Sequence, residues 1–285
     1  MDVADLSGRW GLVTGAGSGI GRATALAVAR RGADLALCDL EEGGLAETAR
    51  AAGALGRRTL ARRVDVADRE AMRAFAAAVH AEVPAVDVLV NNAGVGLAAS
   101  FAETTLEDWD WIVGINLMGV VHGCHFFVPP MAARGRGGHV VNIASMASYV
   151  AGEALNAYCT TKFAVRGFSE ALRAELARSR IGVTAVCPGI INTSITKRMR
   201  ARGAAEDPET RERMVRLFEQ RNYGPERVAE GILRAIARNR AVAPVSPEAR
   251  LFWYLKRFTP GVVRAISRLA SNRAAREAAA RRSLP

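Results

Sequence analysis

Two side chains four residues apart, Tyr158 and Lys162, carry the first chemistry in this sequence. On a helix that spacing puts the phenol and the ammonium on one face. A free phenol titrates near about 10 and is a poor base at neutral pH; a cation within a few Å favours the phenolate and brings it into the range for general acid/base work. Thirteen residues upstream, Ser145 has a hydroxyl suited to hydrogen-bonding a carbonyl or carbinol oxygen. Ser148 lies only ten residues from Tyr158 and fits that role less well. Taken alone, Tyr158 and Lys162 equally suit a pair on a surface helix. Lysine is otherwise scarce: Lys197 and Lys256 complete the set in a chain that uses arginine.

A second group of residues points to a phosphate. Gly15-Ala16-Gly17-Ser18-Gly19-Ile20-Gly21 follows an apolar run and precedes an Ala-rich helical stretch. Glycines let a turn bring backbone N–H groups against a phosphate, and the helix N-terminus adds partial positive charge. The spacing is G-x-x-x-G-x-G, and tight turns also use glycine for sterics alone. Asp39, followed by Leu40, comes 18 residues after Gly21, where a carboxylate can accept hydrogen bonds from the adenosine ribose. That carboxylate repels a 2′-phosphate and favours NAD, although Arg22 nearby keeps NADP open, and Asp39 also suits a helix cap. Asp65-Val66 fits either the adenine edge or a cap. In Asn91-Asn92-Ala93-Gly94, two amides beside small residues suit a backbone packed against a cofactor.

The elements that position these residues are short β-rich runs alternating with helical patterns. Strands are expected at Trp10–Thr14, Asp34–Asp39, Thr59–Asp65, Val86–Asn91, Gly138–Ile143, Gly182–Cys187 and Ala241–Val245. Long helices are expected at Trp109–Met131 and Ala157–Arg178. Alternation of this kind predicts an α/β fold, a doubly wound parallel sheet of seven strands with helices on both faces. Ligands then lie beyond the carboxyl ends of the strands. Residues 1–245 form the expected catalytic domain and 246–285 a C-terminal helical extension.

Composition narrows the function classes. With 285 residues, 50% of them hydrophobic, the chain has ample core for one domain. Its net charge of +11 resides in the last third, where residues 197–285 carry 21 basic against 9 acidic side chains. Cys38, Cys124, Cys159 and Cys187 are too dispersed for a zinc site or disulfide framework, and His80, His122, His125 and His139 lack partners for a metal shell. No metal is expected. No apolar run approaching a membrane span and no secretory leader are read, so a cytoplasmic location is expected.

Taken together, these residues resemble the short-chain dehydrogenase/reductase family over about residues 5–245. The family turn T-G-x-x-x-G-x-G matches Thr14, Gly15, Gly19 and Gly21; its N-N-A-G matches Asn91 to Gly94; its serine, tyrosine and lysine match Ser145, Tyr158 and Lys162. The resemblance implies a Rossmann-type fold and hydride transfer between a nicotinamide and a carbinol carbon. It assigns Tyr158 as proton donor and acceptor, Ser145 as the group that orients the substrate oxygen, and Lys162 as a ligand of the nicotinamide ribose. It gives Asn116 a water linking Lys162 to solvent. Pro188, Gly189, Ile191 and Thr193 would meet the nicotinamide amide, Ile191 through its backbone and Thr193 through its hydroxyl. The family also implies a homodimer or homotetramer, built partly from the two long helices.

The wall residues Ala147–Leu155 and the segment from Thr193 to Gly224 imply an apolar pocket, with no fixed carboxylate or arginine evident. The expected substrate is therefore a hydrophobic secondary alcohol or ketone of lipid, steroid or terpenoid type; an NADP-dependent carbonyl or 3-oxoacyl reductase is the alternative, and a non-catalytic dinucleotide sensor a more distant one. The extension reads as two short basic amphipathic helices broken at Thr259-Pro260-Gly261, the second carrying Val262, Val263, Ile266 and Leu269. Packing on the domain or a neighbouring subunit, or peripheral contact with a membrane, both suit them. Nucleic acid is disfavoured for want of a reading motif, and Ala274–Pro285 is read as a solvated end.

Overall fold

Runs such as Gly11-Leu12-Val13 and Leu35-Ala36-Leu37 are apolar without alternation because both faces of a parallel sheet are covered by helices. A computed structural model describes residues 1–193, 195–265 and 268–269, with Thr196 and Lys197 described in backbone only. Along the chain come β1 (Trp10–Thr14), α1 (Gly19–Ala29), β2 (Asp34–Asp39), α2 (Glu42–Gly53), β3 (Thr59–Arg63), α3 (Arg69–Glu82), β4 (Val88–Asn91) and β5 (Leu97–Ala98). Then follow α4 (Leu106–Val113), a π turn (Gly114–Met118), α5 (Gly119–Arg134), β6 (Gly138–Ile143), α6 (Asn156–Glu175), β7 (Ile181–Cys187), α7 (Ile195–Arg198) and β8 (Arg200–Ala201). The chain continues through α8 (Pro208–Arg221), α9 (Pro225–Ala237), β9 (Val242–Pro244) and α10 (Pro247–Phe258).

Seven parallel strands form one sheet in the order β3-β2-β1-β4-β6-β7-β9. The chain winds outward from β1 to β3, then crosses back to β4 beside β1, so connections leave these neighbours in opposite directions and open a crevice at their carboxyl ends. Register is direct: Gly11 pairs with Leu35 on one side and Val88 on the other. Successive side chains feed opposite cores. Val13, Leu35 and Leu37 pack with α1 and α9 residues such as Val28 and Ile232, whereas Leu12, Ala36 and Cys38 pack with Phe75, Phe127 and Val165 on the other face.

The architecture agrees with the doubly wound reading, and the differences are local. β3 ends at Arg63, paired with Asp39, the last residue of β2, rather than at Asp65. The expected helix over Trp109–Met131 is two helices joined by the π turn, which re-aims Asn116 into the interior. The two-residue strands β5 and β8 pair as a separate small sheet too short to show a pattern. One correction concerns membrane spans: the helical stretch Leu106–Arg134 reaches a mean hydropathy of 1.5, long and apolar enough to cross a bilayer, but half of its apolar window is buried inside the fold against β4, β6 and α3. It is a core helix.

All four cysteines are buried and unpaired, with burial pushing Cys124 up to about 12 and Cys187 to about 11. Among the described residues no three His, Cys, Asp or Glu side chains gather as a metal shell. In the extension, α10 is followed by helix over residues 260–265 after a break at Thr259. Ile266 and the stretch Ala274–Pro285 lie outside the described residues.

Packing at the first turn leaves no room for a side chain at Gly21, where a Cβ would overlap the Gly15 carbonyl oxygen and lie on the Asn92 amide at 2.5 Å. Gly21→Ala is therefore expected to push α1 off the sheet and cost about 1–3 kcal/mol in chemical denaturation.

Candidate active site

The site begins where β1 and β4 end. Thr14 Oγ1 accepts from Asn92 N and Ala93 N, both at 3.0 Å, and Asn92 Nδ2 donates to the Thr14 and Gly15 carbonyls, both at 3.0 Å. This seam holds the glycine turn against Asn92-Ala93-Gly94. Gly15 (φ 64°) and Gly19 (φ 51°) occupy the left-handed region that glycine alone adopts freely. Ser18 precedes α1 without a side-chain cap, so the first N–H groups of the helix face the cleft uncommitted. That combination is a fitting cradle for a pyrophosphate.

Asp39 lines the same cleft. Its Oδ2 accepts from Gly17 N at 2.7 Å and its Oδ1 from Glu41 N at 3.0 Å, which leaves acceptor capacity on both oxygens. It is not the helix cap: Glu41 caps α2 through Gly43 N and Gly44 N. Likewise Asp68, not Asp65, caps α3, and Asp65 faces the cleft beside Val66. Arg22 is committed behind the turn, donating to Gly17 O at 2.6 Å, Gly44 O at 3.1 Å and Glu47 Oε2 at 2.8 Å.

At the other end, Ser145 starts a 3-10 turn (Met146–Ser148), its Oγ accepting from Ala147 N at 3.1 Å. Tyr158 and Lys162 stand in the first two turns of α6, with Lys162 Nζ 5.8 Å from the tyrosine ring centre and donating to Ile143 O at 2.9 Å. Ser148 is fully buried against Cys187 and does not reach the cleft. Asn116 is also fully buried: its amide exchanges bonds of 2.8 and 3.0 Å with the Val95 backbone and donates to Thr161 Oγ1 at 3.2 Å. Both amide hydrogens are thereby used within the protein. Asn116 Oδ1 and Lys162 Nζ nonetheless converge on Gly94, at 3.1 and 3.4 Å from where its Cβ would be.

Burial pushes the Tyr158 phenol up, and a hydrogen bond with Ser145 draws it back only in part. Lys162, 4% exposed, is pushed down to about 8 by the same burial. The sequence-based expectation that the ammonium lowers the phenol is therefore reversed here. Lys162 is buried and Tyr158 half-buried in the cleft wall, and loss of hydration is the leading cause of both shifts.

One cleft of about 1230 Å3 unites these parts. Gly15, Ser18, Gly19, Ile20, Asp39, Leu40, Asp65, Val66, Asn92, Ala93, Gly94, Ser145, Tyr158, Lys162, Pro188, Gly189, Ile191 and Thr193 all line it. Thr14, Gly17, Gly21 and Asn116 stand behind the lining as supports. The volume exceeds the roughly 300–1,000 Å3 of a single small-ligand pocket and suits a long cofactor with a substrate beside it. Thr193 packs its methyl group against Gly19, so the turn after β7 meets the turn after β1.

Val150, Leu155, Met199, Met214, Leu217 and Phe218 make the far end apolar. The structure corrects one expectation: Glu103, Glu153, Arg202 and Arg213 also line that end. Arg202 is fixed by a buried carboxylate, with Nε 2.8 Å and Nη2 2.9 Å from Asp108, while Arg200 lies 3.8 Å over the Trp111 ring. Asp108 is 1% exposed, and Arg202 holds its carboxyl below the usual range. Together with the β5–β8 pairing, this latch ties the segment entering α8 to α4. Its partners are 94 residues apart in sequence, and no local pattern announces them.

The chain belongs to the short chain dehydrogenase family, which it matches over residues 9–203. It is 42% identical over 261 residues, 90% of its length, to the “Probable oxidoreductase EphD” of Mycobacterium tuberculosis (strain ATCC 25618 / H37Rv). The match covers 44% of that protein, so the chain spans under half the length of the curated relatives it matches first. It is 37% identical to the 2-(R)-hydroxypropyl-CoM dehydrogenase of Xanthobacter autotrophicus, covering 76% of this chain and 86% of that one. Among solved structures, a short chain dehydrogenase/reductase from Burkholderia phymatum in complex with NAD superposes with a TM-score of 0.81 at 31% identity, covering 92% of this chain and 96% of that one.

Two outcomes follow. Asp108→Asn is expected to loosen the latch and raise KM about tenfold, roughly 1.4 kcal/mol, with a smaller change in kcat, read by steady-state kinetics. Lys162→Met is expected to abolish turnover yet raise the thermal stability of the cofactor-free protein at pH 7, since each unit by which burial depresses a pKa costs about 1.4 kcal/mol. Lys162 is depressed on folding, so below about 8 the folded state bears the full cost of the buried charge. As pH rises from about 8 toward about 10.4 the cost is relieved. The advantage of the variant should therefore shrink over that window.

Proposed function

We propose that this protein is an NAD-dependent oxidoreductase interconverting a hydrophobic secondary alcohol and its ketone. The observation that carries the reading is one cleft with Asp39 at its ribose end, Arg22 committed elsewhere, and Ser145, Tyr158 and Lys162 together at the other end. The NAD in the Burkholderia phymatum structure and the alcohol substrate named for the Xanthobacter autotrophicus relative support it.

Bound NAD supplies the hydride acceptor and, when oxidised, a positive charge. The glycine turn and the open end of α1 hold its pyrophosphate, Asp39 its adenosine ribose, and Leu40, Asp65 and Val66 the adenine. Lys162 holds the nicotinamide ribose, and the Pro188–Thr193 turn the carboxamide. Ser145 hydrogen-bonds the substrate oxygen and stabilises the charge that grows on it. Tyr158 takes the hydroxyl proton during oxidation and returns it during reduction. Asn116 fixes the backbone of Val95 and the start of the substrate wall, and its oxygen faces the ammonium across Gly94. The apolar end of the cleft orders a greasy skeleton and excludes water. The reading includes a homodimer or homotetramer, as the family resemblance implies.

Because burial raises Tyr158, its base form grows with pH: alcohol oxidation is expected to climb from neutral toward alkaline pH, while ketone reduction, which needs the protonated phenol, falls over the same range. Paired fluorescence titrations with NADH and NADPH test the cofactor. NADH is expected to bind at least about tenfold tighter, a preference of about 1.4 kcal/mol, and Asp39→Ala to narrow that gap. Tighter NADPH binding would instead favour a carbonyl or 3-oxoacyl reductase. In a screen of hydrophobic secondary alcohols, Tyr158→Phe should lose turnover while keeping NADH binding; turnover retained by that variant refutes the mechanism.

A further inference from the structure

The outer face of α10 and the helical residues after it form an apolar stripe that the fold leaves uncovered. Leu251, Tyr254, Phe258, Val262 and Leu269 are each between 47% and 72% exposed. Within α10 the spacings of three and four residues keep Leu251, Tyr254 and Phe258 on one side of the helix, and Val262 and Leu269 follow after the break at Thr259. The Tyr254 and Phe258 rings stack with centres 6.4 Å apart and planes 6° from parallel, which makes a flat aromatic surface.

The helix is not loose, because its inner face is anchored. Ala249 and Val263 are buried, and Trp253 packs edge-on against Tyr149 at 5.3 Å. The Tyr149 hydroxyl donates to the Ala249 carbonyl at 2.7 Å. One apolar face therefore belongs to the core, and a second, separate one faces outward.

Charge decides what covers it. Residues 249–273 carry six Lys and Arg and no Asp or Glu. The acid of α10, Glu248, is turned inward, accepting from Ile190 N at 3.0 Å and from Arg221 Nη2 at 2.6 Å. In a two-fold contact the same patch meets itself, so the cations of residues 249–273 would face their own copies, and this segment brings no carboxylate of its own to offset them. A nucleic acid would meet the cations but offers no greasy phase for leucine, valine and phenylalanine. An anionic lipid surface satisfies both halves of the pattern: the apolar side chains enter the acyl boundary, and the guanidinium groups stay at the headgroups.

We propose that the outer face of α10, together with the exposed apolar side chains Val262 and Leu269 that follow it, is a peripheral docking surface for anionic membranes. Tyr149 follows the Ser145 turn within the wall segment Ala147–Leu155, so the docked helix would hold the apolar end of the cleft near a source of apolar substrate. Docking itself does not depend on the identity of the substrate or on NAD.

Flotation of the full chain with vesicles of phosphatidylcholine alone, and with vesicles containing phosphatidylglycerol, tests this. The protein should float with the anionic vesicles at low ionic strength, remain behind with the neutral ones, and be released at high salt. A triple variant, Leu251→Ser, Tyr254→Ser and Phe258→Ser, should lose binding at least about tenfold while its thermal unfolding by circular dichroism stays cooperative. If that variant fails to fold, Arg250→Glu with Arg257→Glu takes its place, with the same expected loss. No flotation at low salt, equal flotation with neutral vesicles, or variants that float like the parent each overturn the proposal. So does a triple variant that breaks an oligomer of the parent chain in sedimentation analysis, which would make the stripe a subunit contact.

Discussion

Four hydrogen bonds between the Thr14–Gly15 segment and Asn92-Ala93 close the seam at the ends of β1 and β4, and every functional contact is measured from that seam. It fixes the glycine turn, which aims the open end of α1, which in turn defines where a pyrophosphate lies. From there Asp39 marks one direction and Lys162 the other. The constraint is topological before it is chemical: β1 and β4 are neighbours whose connections leave in opposite senses, so no loop covers the gap.

The candidate catalytic end of the cleft carries a cost in stability. Lys162 is buried with its ammonium resting on one carbonyl, and Tyr158 is half-buried at the cleft wall with Ser145 as its polar neighbour. A core optimised for stability would not keep a lysine there, because burial penalises the charged form. The surrounding structure over-determines the arrangement through the π turn, which brings Asn116 onto Val95 and Thr161 and so ties α4, α5 and α6 behind the ammonium. Ser145 comes from the end of a strand and Tyr158 and Lys162 from the start of α6, so the candidate reacting groups meet where sheet and helix converge.

Beyond the common domain, two features give this chain its own character. The Asp108 latch draws the segment before α8 onto α4, so the apolar end of the cleft is walled by residues from distant parts of the chain. The extension closes the other side: Glu248 of α10 grips the Ile190 amide and Arg221 together, joining the turn after β7 to the end of α8. Cofactor turn, substrate wall and extension are thus mechanically continuous.

Much of this was legible in the sequence because the signals are local. Strands β1, β2 and β6 lie where their apolar runs predicted, and the glycine turn, Asp39, Ser145, Tyr158 and Lys162 fall at strand ends or in the first two turns of a helix, where spacing assigns a face. Other features were out of reach because they arise between segments. A helix-cap reading stood beside the ligand reading for Asp39 and nearly level with it for Asp65, and in the fold Glu41 and Asp68 do the capping. The run from Leu106 to Arg134 has the hydropathy of a membrane span, and only packing on the sheet makes it a core helix. The reversal of the Tyr158 shift, the commitment of Arg22 and the pairing of Asp108 with Arg202 depend on hydration and on distances across the fold. Residue type and spacing therefore determined the family, the fold class and the reacting groups. Tertiary structure decided their electrostatic state and the shape of the substrate end, since desolvation and long-range pairing exist only once the chain is folded.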